Sequence, residues 1–326
     1  MGTVVALSGQ VGGAKLADGL RRLRGKDLAV IVNTGDDHEV FGLSFSPDID
    51  TMLYMLGGIA SPAAGWEPGG ETYDLHDMLQ RLGSEHRVRV GDRSFALPLL
   101  RTEALREECL LSQITLGFCR KLGIEARVLP MSNDPVRTVV VTEDGHVSYH
   151  EYLTELECAP VVKGFLYAGA DMARIPDEVL EALYAPDLEA IVLCPANPYH
   201  TIHPIMAVQG MRELLRVCPA PVIAVSPIVG DRALRGAAGK MMQELGHEVS
   251  ARRVALEYYR LIDGFVIDSV DAAAAEGIRA CGIEVAVAPT IMHSEDDRVA
   301  LAQTVLDLAR VVRANKVAEL ETERSG

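Results

Sequence analysis

The sequence predicts an α/β protein: a Rossmann-like, mostly parallel sheet with helices on both faces and an inserted, mainly helical region. Three observations carry that prediction. Short runs rich in Val, Ile, Leu and Ala recur without polar alternation, the pattern of strands buried on both faces. Each run ends in a polar or glycine-rich cluster, and the stretches between runs carry apolar residues at helical spacing.

The elements follow in order. A first strand over Val4–Leu7 leads into Ser8-Gly9-Gln10-Val11-Gly12-Gly13 and a helix with apolar positions over Leu16–Leu23. A second strand, Leu28–Val32, leads into Asn33-Thr34-Gly35-Asp36-Asp37. Ser46-Pro47 predicts an N-cap and a proline at N1 for a helix carrying Ile49, Met52, Leu53 and Leu56. Residues 58–187 read as an insert between two parts of one sheet. It holds a helix ending near Gly83, a helix capped by Ser112 and stopped at Gly123, and a hairpin over Arg137–Tyr152 turning at Asp144-Gly145. Strands resume at Ala190–Leu193, Val222–Val225, Phe265–Ile267 and Val285–Val287. Ser294 opens a C-terminal helix whose first turn, Glu295-Asp296-Asp297, complements the positive end of the helix dipole. The expected organisation is one α/β domain over 1–313, with a C-terminal tail over 314–326 whose last residues, 318–326, are polar and frayed.

Composition narrows the function. The chain has 326 residues and a formal net charge of −15. A general nucleic-acid binder needs clustered Lys and Arg to neutralise phosphates, so this balance argues against one. Six widely spaced cysteines without a C-x-x-C pair read as reduced thiols. No uncharged stretch approaches the length of a bilayer span, and neither a signal peptide nor a myristoylation pattern opens the chain. The expectation is a cytoplasmic protein.

In an open α/β sheet, ligands bind beyond the carboxyl ends of the strands, at the switch in strand order. That rim would collect the first glycine turn, Asp36, Asp37, Asn197, Ser226 and Thr290. The string Gly9-Gln10-Val11-Gly12-Gly13-Ala14-Lys15 is neither a strict G-x-G-x-x-G nor a Walker A loop. Its glycines and helix-start N–H groups still suit a phosphate, although a tight βα turn accounts for the same residues. Asp36, Asp37, Asp48 and Asp50 form the densest acidic group; carboxylates from two loops can converge on Mg²⁺, bind a ribose hydroxyl or cap a helix. Asp48 is the simplest cap, and Asp50 the better functional candidate. Gly91-Asp92-Arg93 and Arg101 supply cations suited to bidentate phosphate contact, or plain surface arginines. His200 and His203 sit at metal-ligand spacing, but no Cys or Glu cluster completes a zinc set, and no G-x-S-x-G elbow exists.

Taken together, Gly12–Leu20, Val32–Asp37, Ser46–Thr51, Gly91–Arg93, Leu129–Asp134, Asn197-Pro198, Ser226–Gly230 and Thr290–Met292 fall in the order of one family. The chain resembles the CofD/FbiA family, the 2-phospho-L-lactate transferases of coenzyme F-420 biosynthesis, over about residues 3–310. The resemblance implies transfer of a phospho-hydroxy-acid group (2-phospho-L-lactyl, phosphoenolpyruvyl or 3-phosphoglyceryl) from a GDP-linked donor to the ribityl hydroxyl of the deazaflavin Fo, with Mg²⁺ present and GMP released. It implies Asp36 and Asp50 as metal ligands, and Asp50, Asp36 and Arg93 as the catalytic group. Asp50, Arg93 and Thr51 would contact the deazaflavin; Gly9, Gly12, Gly13, Lys15, Asn197, Ser226 and Gly230 would take the donor nucleotide. A homodimer is the family precedent.

The chain departs from the family pattern at Ser94, where Asp is common, and at Ala196 and His203, where Ser and Gly are common; Tyr199 and His200 add bulk. Two other functions fit parts of the sequence. One is a nucleotide-sugar-binding regulatory protein of the gluconeogenesis-factor type. The other is an NAD(P)-dependent oxidoreductase, since Asp36 lies where a ribose-binding acid would. Gly91-Asp92-Arg93 and the helix-rich insert favour the transferase.

Overall fold

A computed structural model describes residues 2–84, 89–233 and 236–325. The apolar runs become strands β1 (Thr3–Ser8) and β2 (Leu28–Val32), followed by a small antiparallel hairpin of β3 (His38–Val40) and β4 (Leu43–Phe45). Next come β5 (Arg127–Pro130), and a three-stranded antiparallel sheet of β6 (Arg137–Thr142), β7 (Gly145–Ser148) and β8 (Val162–Ala168). The chain continues through β9 (Leu188–Leu193), β10 (Val222–Val225), a two-residue pair of β11 (Ile228–Val229) and β12 (Arg232–Ala233), then β13 (Gly264–Ile267) and β14 (Glu284–Val287).

Seven of these form one parallel sheet in the order β14-β13-β10-β9-β1-β2-β5. The fold is therefore α/β, as expected. Successive residues of each strand enter opposite cores. Val5, Leu7, Ile31 and Ile191 pack on one face; Val4, Ala6, Val30 and Val192 face helix α1 (Gln10–Arg24), helix α2 (Pro47–Leu56) and the C-terminal helix on the other. From β1 the order runs outward through β2 on one side and through β9 on the other, so the switch point lies between β1 and β9. The crevice at their carboxyl ends is where a ligand reaches the most loops.

The segment expected as an insert is corrected in one respect. Residues 127–130 lie within 58–187 and supply β5, the edge strand of the main sheet. Its proline at Pro130 suits an edge, where one side of the ladder needs no donor. The rest includes helices α3 (Asp74–Arg81), α4 (Ala96–Arg106) and α5 (Leu111–Lys121). The cap of α5 is Leu110 and not Ser112, which sits inside the first turn; Gly123 follows the helix with φ +67°, a conformation glycine adopts freely. The hairpin turns where expected, but Tyr149 onward forms helix α6 (Tyr149–Thr154), and β8 adds a third strand. The C-terminal helix, Glu295–Ser325, runs through the stretch expected as a frayed tail; Gly326 lies outside the described residues.

Candidate active site

The carboxyl ends of β1, β2 and β9 bring three loops together with the start of α2. Gly9 is the N-cap of α1, and Gln10 follows at φ +56°, so the turn between strand and helix is a single tight step. Gly12 and Gly13 lie inside the first turn of the helix, not in an open loop. A Cβ on Gly12 would meet the Pro195 carbonyl at 2.6 Å, and one on Gly9 would collide with the Asp48 carboxylate and the Thr201 methyl. These glycines thus permit close packing of β1 and β9 loops against the helix start.

Four carboxylates converge here, each with different company. Asp48 does not cap its own helix. Its Oδ1 accepts from the Gln10 N–H (2.8 Å), capping α1, while Oδ2 accepts from Asn33 Nδ2 (2.9 Å). Burial, reinforced by the Asp36 carboxylate, pushes Asp48 up to about 7. Asn33 also donates to the His200 carbonyl (3.1 Å) and accepts from the Gly35 N–H (2.8 Å), locking the β2 exit against the β9 loop. Asp37 accepts from Ser46 Oγ (2.8 Å), and burial pushes its carboxyl up to about 8. Ser46 is the expected N-cap of α2 by position, but its hydroxyl serves Asp37 and makes no cap bond.

Asp50 forms an ion pair with Arg101 of α4, whose Nη1 also donates to the Ser44 carbonyl (3.1 Å). The guanidinium is fully buried. Burial pushes the Asp50 carboxyl upward and Arg101 opposes that shift. Asp36 is held differently: Oδ2 lies 3.2 Å from His200 Nδ1, and Oδ1 is buried with no hydrogen-bond partner. Asp37 Oδ1 and Thr34 Oγ1 are buried and unpartnered in the same way.

Of the two residues expected to share a cation, Asp50 has both oxygens in contact with Arg101, whereas Asp36 faces His200. Thr51 is buried in α2 beside it. Arg93 is exposed and donates to the Gly69 carbonyl (2.6 Å). Its neighbour Asp92 accepts from the N–H groups of Asp74 and Leu75 (both 3.0 Å), so Gly91-Asp92-Arg93 closes the segment around α3. Ser94 fits that role too, donating from Oγ to Glu71 (2.6 Å).

The residues expected at the donor nucleotide are spread along the rim. Asn197 accepts from the Tyr199 N–H (2.9 Å), and its own N–H donates to Gln10 Oε1 (3.3 Å). Lys15 donates to the Met292 carbonyl (2.7 Å), at the β14 end. Ser226 closes its own turn: Oγ accepts from the Ile228 N–H (3.1 Å) and donates to the Ile228 carbonyl (2.8 Å). Gly230 has φ +54° and donates to Asp271 (3.1 Å). The site residues that motif reading passed over are Asn33, Gln10, Tyr149 and the roles of His200 and Arg101. Arg101 was visible as a cation near Gly91-Asp92-Arg93; nothing local marked its partner.

The donor set here fits a hard cation. Two adjacent carboxylates each keep a buried oxygen without a donor, and Mg²⁺ commonly uses one or two carboxylates together with substrate phosphates. Among the described residues, no group of three or more His, Cys, Asp or Glu is arranged to hold a metal unaided. Nor, among them, is any helix long and apolar enough to cross a membrane.

The chain matches the family model "2-phospho-L-lactate transferase CofD" over residues 4–300. It is 38% identical to a phosphoenolpyruvate transferase of Streptomyces griseus, covering 95% of this chain and 99% of the relative. It is 37% identical to a 2-phospho-L-lactate transferase of Methanopyrus kandleri, covering 93% and 96%. Among solved structures, a member of the UPF0052 family from Bacillus halodurans shares the fold with a TM-score of 0.61 at 16% identity, over 94% of this chain and 98% of that one.

Proposed function

Because the chain belongs to the CofD family and is an enzyme of the transferase class, we propose the following reaction for it. It moves a phospho-hydroxy-acid group from a GDP-linked donor to the terminal ribityl hydroxyl of the deazaflavin Fo, in coenzyme F-420 biosynthesis. The hydroxyl oxygen attacks the phosphorus that carries the acid, the bond to GMP breaks, and the hydroxyl proton leaves to a rim carboxylate. Such a transfer depends on positioning and on neutralising spread negative charge. The observation that carries the reading is the group of three buried carboxylates, Asp37, Asp48 and Asp50, with the half-buried Asp36 beside the α1 start, at the switch point of a chain 35–38% identical to named transferases. That likeness favours the transferase over the regulatory and oxidoreductase expectations.

Asp36, with its unpartnered Oδ1, is the residue we assign to Mg²⁺, with Asp37 beside it. When bound, the ion would offset charge on the phosphoryl oxygens. Asp50 with Arg101 then shapes the wall of the site. The relatives carry two donor names at nearly equal identity, so the acid is read by experiment. Fo is incubated with the protein, Mg²⁺ and each candidate guanylylated acid, and the product is weighed by mass spectrometry. A mass increment with GMP release names the acid; no increment with any donor overturns the reading.

The proposal extends to a cytoplasmic homodimer. Six free cysteines suit a reducing compartment. Helix α3 buries none of its residues within the chain, and Leu75 and Met78 on it, with Leu82 at its C-cap, offer an apolar face to a second copy. Light scattering should give about twice 35.2 kDa.

A further inference from the structure

His200 has no role in the reaction above, yet it is 1% exposed and touches four groups of the site. Its Nδ1 lies 3.2 Å from Asp36 Oδ2 and 3.4 Å from Thr201 Oγ1. Its Nε2 lies 3.0 Å from the Tyr149 hydroxyl and 3.3 Å from Gln10 Nε2. The ring stacks on Tyr149 with centroids 4.0 Å apart and planes 17° from parallel.

The neighbours fix where the ring carries its hydrogen. The Asn197 N–H donates to Gln10 Oε1 (3.3 Å), so the other end of that amide is the NH₂. This NH₂ is a donor only, and it faces Nε2, which must therefore be a lone pair. Tyr149, kept neutral by burial and by the nearby Asp36 carboxylate, donates to the same nitrogen. The hydrogen then sits on Nδ1 and points at Asp36. Every donor along Asn197, Gln10, His200 and Asp36 meets an acceptor. Gln10 occupies a left-handed backbone conformation at φ +56°, uncommon for a residue with a side chain, and in it the amide spans from the β9 loop to the imidazole.

We propose that His200 is a positioning residue for Asp36. As the Nδ1–H tautomer, set by Gln10 and Tyr149, it occupies one carboxylate oxygen and leaves Oδ1 as the oxygen for the cation. The inference rests on the assignment of Asp36 to Mg²⁺, and adds a chain of hydrogen bonds linking that carboxylate to the Asn197 loop. Partners of this kind, one step behind a metal ligand, typically alter metal affinity 10–100-fold.

Mn²⁺ titrated into the substrate-free protein, followed by electron paramagnetic resonance, is the test. Asp36→Asn should abolish tight binding, and if it does not, the assignment of Asp36 fails. With Asp36 confirmed, His200→Ala should weaken Mn²⁺ about 10–100-fold. His200→Asn, whose amide N–H replaces the Nδ1–H, should recover most of that loss. Alanine binding within about twofold of the parent, or alanine and asparagine equally weak, overturns the positioning role. Should His200→Ala fail to fold, ¹⁵N spectra of the imidazole in the parent protein decide. A protonated Nδ1 with a bare Nε2 supports the proposal, and the reverse tautomer overturns it.

Discussion

The two halves of the strand rim treat their polar groups in opposite ways. At the β10–β13–β14 end, Asp268 is fully engaged: Oδ1 accepts from the Val270 N–H (3.1 Å), and Oδ2 from the Thr290 N–H (2.8 Å) and hydroxyl (3.0 Å). Burial works against its charge, but these donors outweigh it and hold the carboxyl below its usual range. At the β1–β2–β9 end, Asp37, Asp48 and Asp50 are all shifted upward by burial, and Asp36 and Asp37 each keep an unpartnered oxygen. An acid at a strand end is thus no sign of a site in itself. Acids left short of donors are, because a buried acceptor without a partner is costly unless a ligand completes it.

The sharpest way to break this contrast is Asp50→Asn, which leaves the Arg101 charge buried and unpaired. Chemical denaturation should show a loss of about 3–5 kcal/mol, largely recovered when Arg101→Met is added. A loss under about 1 kcal/mol would mean the pair is not the buried ion pair described. It also means that Asp50→Asn tests the fold and the chemistry together, so its turnover should be read only beside the double variant.

Asp268→Ala, in the engaged half, should cost about 1–3 kcal/mol by stranding the Thr290 and Val270 N–H groups. GMP release should persist under conditions where the protein stays folded. Abolished turnover in folded protein would place chemistry in the wrong half of the rim.

The halves also differ in the sign of their pH dependence. A carboxyl raised to about 8, as in Asp37, binds its proton more tightly folded than unfolded. Its contribution to stability is complete below the unfolded value of roughly 4 and declines as pH rises toward about 8. Asp268, lowered in the fold, contributes above its unfolded value and loses that contribution as pH falls through its folded one. Melting temperature measured from pH 5 to 8 should therefore fall, by a few degrees from Asp37 alone, and Asp37→Asn should flatten the slope. An unchanged slope would show that Asp37 ionises as freely folded as unfolded.

The smallest expected effect is Ser226→Ala. Its hydroxyl closes a local turn, so the loss should be about 1 kcal/mol with little change in donor KM. A large KM increase would place the Ser226 hydroxyl at the donor.

Much of the fold was legible locally. The runs at Val4–Leu7, Leu28–Val32 and Val222–Val225 are continuous because both faces of the sheet are covered, and each became a central strand. Arg127–Pro130 escaped because four residues ending in proline resemble a loop as much as an edge strand. Ser46 shows the limit at finer grain: its position at a helix start was readable, but its hydroxyl turned to Asp37, nine residues back.

Sequence alone determined the parallel sheet, the strand ends that carry acids, and the family, since each depends on residue order and short-range pattern. Tertiary structure alone decided which acid is matched and which is left short. His200 meets Asp36 across 164 residues, Arg101 meets Asp50 across 51, and Asp48 caps a helix 38 residues upstream. Hydrogen bonds and ion pairs act over a few ångströms, and only the folding of distant loops onto one rim brings those groups within reach.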